Sequence, residues 1–233
     1  MLERIRNHRH LLLLAAMLFA LVTQPLVARD SEAARIAYDL LIAGVCAAII
    51  LVTFDERWER RLALLLLLPA IVMMVALYVV SPALARPAVV AYHLFLVLFI
   101  GFAVGVIVRD IFRRRAISFD EVVGAFCGYL MLGLVWGNLY VLVESLAPGS
   151  FAVAPEIRWQ LDDPHLRRAL FNYLSFANMA SLGYGDITAV APLSNTLTWI
   201  EVMSAQFYLA VVIAQIVGMK LAQVVLPGGP ERR

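Results

Sequence analysis

The stretch from Ser181 to Asp186 reads Ser-Leu-Gly-Tyr-Gly-Asp and places two glycines at alternate positions after a hydroxyl. Successive residues of an ordinary strand point in opposite directions. Glycine accepts a positive φ, so Gly183 and Gly185 allow neighbouring backbone carbonyls to face the same side. A row of such oxygens can replace the water around a cation, and the Ser181 hydroxyl can add one more layer. The pattern therefore favours cation coordination without any covalent step.

The residues before this stretch predict a short helix that ends against it. Asp163 followed by Pro164 is a typical helix start, because aspartate caps helices and proline suits their first turn. We expect a helix within 163–180. A helix of about 16 residues covers about 24 Å, which is too short to span a bilayer. Its carboxyl end carries partial negative charge toward the cation. The sequence thus predicts a re-entrant half-helix and an extended loop, which membranes tolerate only around a protein-lined or water-filled cavity.

The composition favours a membrane protein. Hydrophobic residues make up 63% of the 233 residues and charged residues only 15%, against about 45–50% and about 25% in soluble domains. Six apolar runs are long enough to cross about 30 Å of hydrocarbon. They lack the alternation of barrel strands, so we expect an all-α integral membrane protein with six transmembrane helices. The runs are 11–28, 34–54, 62–80, 88–108, 122–146 and 197–219.

The first run also has features of a secretory signal peptide, because basic residues precede it and Leu-Val-Ala ends it. Its length and the Gln24-Pro25 pair fit a cleavage site poorly, so we expect an uncleaved span. Six spans then place thirteen of the 19 basic residues on the side of the amino terminus, and the positive-inside rule predicts that both termini are cytoplasmic. These residues are Arg4, Arg6, Arg9, Arg57, Arg60, Arg61, Arg109, Arg113, Arg114, Arg115, Lys220, Arg232 and Arg233.

Residues 121–218 resemble the pore module of the potassium channel family, in which an outer helix, a pore helix, a Thr-Val-Gly-Tyr-Gly filter and an inner helix follow one another. Ala177, Ala180 and Ala189 depart from the family pattern at positions that bear on the rigidity of the filter. Four positions are identical to the family pattern: Gly183, Tyr184, Gly185 and Asp186. Two more keep the chemical type, with Ser181 in place of threonine and Leu182 in place of valine.

The resemblance implies a bacterial-type homotetramer that conducts potassium passively across the plasma (inner) membrane. Carbonyls of four loops replace the hydration shell of the ion in this family. The resemblance implies that potassium binds at Ser181, Leu182, Gly183 and Tyr184. It also implies that Gly185 completes the filter and that Asp186 braces its outer end. The expected partners are potassium ions, the bilayer and identical subunits. No enzymatic activity, organic cofactor or nucleic-acid partner is expected.

The resemblance also divides the chain. Residues 1–116 are expected to form a peripheral four-helix domain and residues 117–224 the pore domain, followed by a cytoplasmic tail over 225–233. Within the pore domain we expect the outer helix, pore helix, filter and inner helix at 121–146, 163–180, 181–186 and 196–220.

Ionisable residues inside the predicted spans bear on gating. A voltage sensor needs a basic residue at every third position, but the run 88–108 contains none, so we expect no standard voltage gating. His93 in that run is either a hydrogen-bonded interior histidine or a proton sensor. Asp39 in the second run is expected to pair with a residue such as Arg35, and a functional intramembrane acid is the alternative. Cys46 and Cys127 are expected to be small buried residues.

The sixth run has two opposite faces that could line a pore, and the sequence does not choose between them. Ile213 and Val217 on the first face could form a hydrophobic constriction, while ordinary helix packing is the alternative. The first face carries Gln206, Ala210, Ile213 and Val217, and the second carries Tyr208, Val212, Gln215 and Met219.

Three other functions are alternatives. The strings Tyr38-Asp39 and Gly183-Tyr184-Gly185-Asp186 match an intramembrane aspartyl protease, in which two carboxylates share a proton, but the half-helix before Asp186 is too short for that fold. A non-conducting scaffold is disfavoured because nothing structural requires the glycine spacing. A cation channel of relaxed selectivity remains an alternative, since Ser181 and Leu182 replace the usual pair.

Overall fold

The computed structural model describes residues 9–27, 32–79, 81–113 and 118–225. The described residues are 84% helical, which is compatible with the expected all-α fold. The elements in chain order are α1 Arg9–Val27, α2 Glu32–Thr53, α3 Arg57–Ala76, α4 Pro82–Arg113, α5 Phe119–Leu146, β1 Phe151–Val153, a 3-10 helix Arg158–Leu161, α6 Pro164–Met179, β2 Ile187–Ala189 and α7 Pro192–Val225.

Among the described residues, four helices are long and apolar enough to cross a membrane, namely α2, α4, α5 and α7. This is compatible with an all-α membrane protein. The first predicted span forms a shorter apolar helix over Arg9–Pro25, and α3 opens with a charged turn that contains Arg57, Glu59 and Arg60. Spanning by α1 and α3 therefore stays a prediction.

The helix α5 lies at the centre of the packing and contacts α1, α4, α6 and α7. Its glycines allow close approach at two places that concern the site. A Cβ atom on Gly133 would collide with the Phe176 ring, and one on Gly137 would lie 3.0 Å from the Asn172 Cα atom. The missing side chains therefore let α6 lie directly against α5.

The segment between α5 and α7 differs from the prediction, which placed no strand there. β1 and β2 pair antiparallel, with Phe151 opposite Ala189 and Val153 opposite Ile187. The ladder joins the chain before α6 to the chain after residues 181–186, so both ends of the segment that contains α6 and the loop are fixed to each other. Strands of three residues are too short to show the period-two pattern in a sequence.

The helix boundaries confirm the predicted start of α6 and correct that of α7. The Asp163 carboxylate accepts hydrogen bonds from the backbone nitrogens of His165 and Leu166 at 2.8 and 3.1 Å, and Pro164 is the first helical residue. α7 covers Pro192–Val225 instead of 196–220, because Pro192 has the fixed φ that suits a first turn. Part of α7 thus precedes the apolar run from which its start was inferred.

Several predictions concern residues outside the described ranges. The predicted cytoplasmic tail follows Val225 and is outside the described residues. Many of the basic residues from which the orientation of the chain is predicted are also outside the described ranges. Both therefore stay predictions. The basic residues concerned are Arg4, Arg6, Arg29, Arg114, Arg115, Arg232 and Arg233, and the side chain of Lys220 is likewise not described.

Candidate ion-binding loop

The loop after α6, residues 181–185, has a positive φ at every second residue. Ser181, Gly183 and Gly185 have positive φ values of 57°, 58° and 78°. The prediction that the two glycines adopt positive φ is confirmed. Ser181 takes the same conformation although it is not a glycine, which is uncommon and costly for residues with a Cβ atom. The alternation thus begins at the hydroxyl-bearing residue.

The backbone carbonyls of this loop have no hydrogen-bond donor. Among the described residues, no hydrogen bond ends on a carbonyl oxygen of 181–185, and the side chains of Leu182 and Tyr184 are exposed. Backbone acceptors in folded proteins are normally paired with donors or with water. A short segment of consecutive unpaired carbonyls is therefore available to a ligand.

The inner end of the loop is fixed by the last turn of α6. The Ser181 nitrogen donates to the Asn178 carbonyl and the Leu182 nitrogen to the Ala177 carbonyl, both at 2.8 Å. From α7, the Gln206 amide donates to the Ser181 hydroxyl at 3.4 Å. These bonds set the direction in which the loop leaves the helix.

The outer end of the loop is held by Tyr173 of α6. Its hydroxyl donates to the Asp186 carboxylate at 2.8 Å, and its ring stacks on the Tyr184 ring with centroids 6.3 Å apart. Asp186 also accepts from the Ile187 nitrogen, and its carbonyl accepts from the Ala154 nitrogen at 2.8 Å. Sequence reasoning missed Tyr173, although an aromatic hydroxyl within the apolar run 169–180 was a visible signal.

Behind the inner end lies Glu201 of α7, which sequence reasoning also missed. Its side chain is fully buried and accepts hydrogen bonds from the Tyr140 hydroxyl of α5 and the Asn178 amide of α6, the latter at 3.0 Å. The Ser175 hydroxyl of α6 lies 2.5 Å from the other carboxyl oxygen. An acid inside the apolar run 197–219 was the signal that could have identified it.

The two faces of α7 differ in the single chain. Tyr208, Val212 and Met219 of the second face are buried, and the Tyr208 hydroxyl donates to the Ala125 carbonyl at 2.7 Å. The first face is exposed: Ile213 and Val217 retain 55% and 50% of their accessible surface. The exposed residues of this face are Gln206, Ala210, Ile213 and Val217.

A charged network lies beside the start of α6. Asp39 accepts from the Tyr78 hydroxyl at 2.7 Å and pairs with the Arg168 guanidinium at 3.5 Å. Arg35, the partner expected from the sequence, pairs with the Asp163 carboxylate at 2.7 Å. Burial lowers the pKa of the nearby His165 imidazole, and the charge of Arg168 adds to this effect. These contacts join α2 to α6 beside a cavity of about 670 Å³.

The remaining sequence predictions concern interior residues. His93 is buried and its Nδ1 atom lies 2.8 Å from the Asn138 amide oxygen, as expected of an interior histidine. Cys46 and Cys127 are free and buried, also as expected. The Arg109 guanidinium forms an ion pair with the buried Glu59 carboxylate at 2.5 Å.

The two acids of the protease hypothesis have separate environments. Asp39 contacts Tyr78, Arg168 and His165, whereas Asp186 contacts Tyr173 and its own strand. A shared proton requires a hydrogen bond between the two carboxyl groups. Within the described part of the chain, no such bond joins Asp39 and Asp186. This geometry gives the protease hypothesis no support.

The comparisons with known proteins add no relative to these observations. No family model matches the chain, no curated protein is similar to it, and no solved structure matches it.

Proposed function

We propose that the protein is a potassium-selective channel in which four copies of residues 181–185 surround the ion path. The observation that carries the proposal is the alternation of positive φ values at Ser181, Gly183 and Gly185 together with the unpaired carbonyls of that loop. Four such loops supply rings of oxygen atoms that take the place of the water around potassium.

The distribution of exposed surface supports an assembly of several copies. The loop and the first face of α7 are both exposed in the single chain, and Gln206 links them through the Ser181 hydroxyl. In a tetramer both surfaces face the common axis, with Ile213 and Val217 below the filter. One chain alone provides only one wall, so conduction requires the homotetramer.

The surroundings of the loop support a rigid filter. Tyr173 restrains its outer end through Asp186 and Tyr184, and the β1–β2 ladder fixes the backbone just beyond. Selectivity filters are built from rings of backbone carbonyls, and these contacts hold the end of the loop that carries the carbonyls. In this proposal α5 is the outer helix, α6 the pore helix and α7 the inner helix.

The input to the channel is not a standard voltage sensor. Between Pro87 and Val108, α4 carries no arginine or lysine, so little charge can move through the membrane field. Arg86 instead donates to the Ser145 and Leu146 carbonyls at the end of α5, each at 2.8 Å. The peripheral helices are thus anchored to the outer helix at the proposed extracellular end.

The proposal is tested by flux from liposomes that hold a potassium gradient. Gly183→Ala should abolish potassium flux, because the added Cβ atom disfavours the φ of +58° that orients the filter carbonyls. Gly149→Ala is the matched control: its φ is +85° in an exposed turn, so it imposes comparable strain away from the loop and should leave flux unchanged.

Two outcomes contradict the proposal. Equal sodium and potassium flux through the unmodified protein indicates a cation channel of relaxed selectivity. Absence of flux from a folded tetramer under every stimulus indicates a scaffold.

A further inference from the structure

Glu201 is a buried acid with an unusual set of partners. Its side chain is fully buried, and within the described residues no arginine, lysine or histidine forms a salt bridge with it. A buried carboxyl group is costly unless hydrogen bonds compensate for the lost water. Three side chains provide that compensation, and each comes from one of the two helices that flank α7.

The partners of Glu201 converge on the end of α6. Ser175 and Asn178 lie in the last two turns of that helix, and Tyr140 fixes the same carboxyl group to α5. The Asn178 carbonyl in turn accepts from the Ser181 nitrogen at 2.8 Å. One residue therefore separates the Glu201 carboxyl group from the first residue of the loop.

We propose that Glu201 is a positioning residue that holds the last turn of α6 against α7 and thereby sets the geometry at the inner end of the 181–185 loop. The inference rests on the proposed function for its consequence, ion selectivity, and on the hydrogen bonds alone for its structural part. Because Glu201 lies on α7, the loop takes its position from the inner helix as well as from α6.

The chemistry of the cluster indicates which substitution keeps it. The Ser175 hydroxyl also lies 2.8 Å from the Gly133 carbonyl, so it can donate there and accept a hydrogen bond from position 201. A glutamine amide can then donate to Ser175 and accept from Tyr140 and Asn178. Glu201→Gln should therefore keep the cluster, whereas Glu201→Ala removes all three bonds.

The first test is hydrogen exchange of the purified protein in detergent. In Glu201→Ala, the backbone amides of Ser181 and Leu182 should exchange about tenfold faster, the effect of losing roughly one hydrogen bond's stabilisation. Glu201→Gln should exchange as the unmodified protein does. Glu59→Ala is the matched control, because it removes an equally buried acid from α3 and should leave these amides unchanged.

The second test is the potassium-to-sodium permeability ratio of the same variants in liposomes. Glu201→Ala should lower the ratio at least about fivefold, by analogy with the loss of one hydrogen bond, while Glu201→Gln and Glu59→Ala keep it.

The outcomes separate the two claims. Unchanged exchange of the Ser181 and Leu182 amides in Glu201→Ala overturns the positioning role, whatever the ion flux. Faster exchange in a protein that conducts no ion upholds the positioning role and contradicts only the proposed function. Faster exchange with an unchanged permeability ratio overturns the link between Glu201 and selectivity.

Discussion

Ser181 contributes both an uncommon backbone conformation and a hydroxyl group to the loop. It adopts a φ of 57°, which is unfavourable for any residue with a Cβ atom. Its hydroxyl accepts a hydrogen bond from the Gln206 amide. Strained residues of this kind concentrate at functional sites. In the proposed channel, the strain is accepted because the hydroxyl adds an oxygen layer below the carbonyls.

Ser181→Gly separates these two contributions. Glycine adopts positive φ without the Cβ penalty of about 1–2 kcal/mol, so the thermal midpoint in detergent should stay the same or rise. The missing hydroxyl should lower the potassium-to-sodium permeability ratio severalfold, because the ion loses one oxygen contact whose free energy is about that of one hydrogen bond. A lower midpoint, or an unchanged permeability ratio, contradicts this account of Ser181.

The helices α5 and α6 show how the site is supported at the level of elements. Gly133 and Gly137 allow α6 to lie directly on α5, where the Ser175 hydroxyl reaches the Gly133 carbonyl. The position of the loop therefore depends on the close packing of two helices. A side chain inserted between them has to displace α6.

Gly137→Ala tests the close contact. Its Cβ atom would lie 3.0 Å from the Asn172 Cα atom, and overpacking of this kind costs about 1–3 kcal/mol. We expect a lower thermal midpoint and a weaker tetramer on size-exclusion chromatography.

Gly105→Ala in α4 is the control for that variant, because a Cβ atom there meets nothing within 4 Å and alanine favours a helix over glycine by about 1 kcal/mol. Its midpoint should stay the same or rise. If both variants behave alike, the close packing of α5 on α6 is not what stabilises the site.

The sequence predicts the backbone of the site better than its supports. The start of α6 follows from Asp163 and Pro164, and the positive φ values follow from Gly183 and Gly185, because these residue types have strong local preferences. Tyr173 and Glu201 contact residues that lie 11 to 61 positions away in the sequence, and such pairs depend on how helices pack. The β1–β2 ladder was not predicted because strands of three residues are too short to show a period-two pattern.

At the scale of the whole molecule, the chain joins the helices α1 to α4 to the unit formed by α5, α6, the 181–185 loop and α7. The helices α1 and α4 pack against α5 through buried apolar side chains. Polar contacts add to this packing: Asp39 pairs with Arg168 and Arg35 with Asp163 near the start of α6, and Arg86 donates to a carbonyl at the end of α5. The loop and the first face of α7 remain exposed in one chain. In the proposed tetramer these exposed surfaces face one another around the ion path, and the peripheral helices act on the pore helix through the charged contacts.

Potassium selectivity is tested most directly by the reversal potential of the purified protein in a planar bilayer. With a tenfold difference in potassium concentration between the two sides and sodium making up the difference, we predict a potential that lies close to the potassium equilibrium value and is insensitive to sodium. A reversal potential near zero under these conditions contradicts the account.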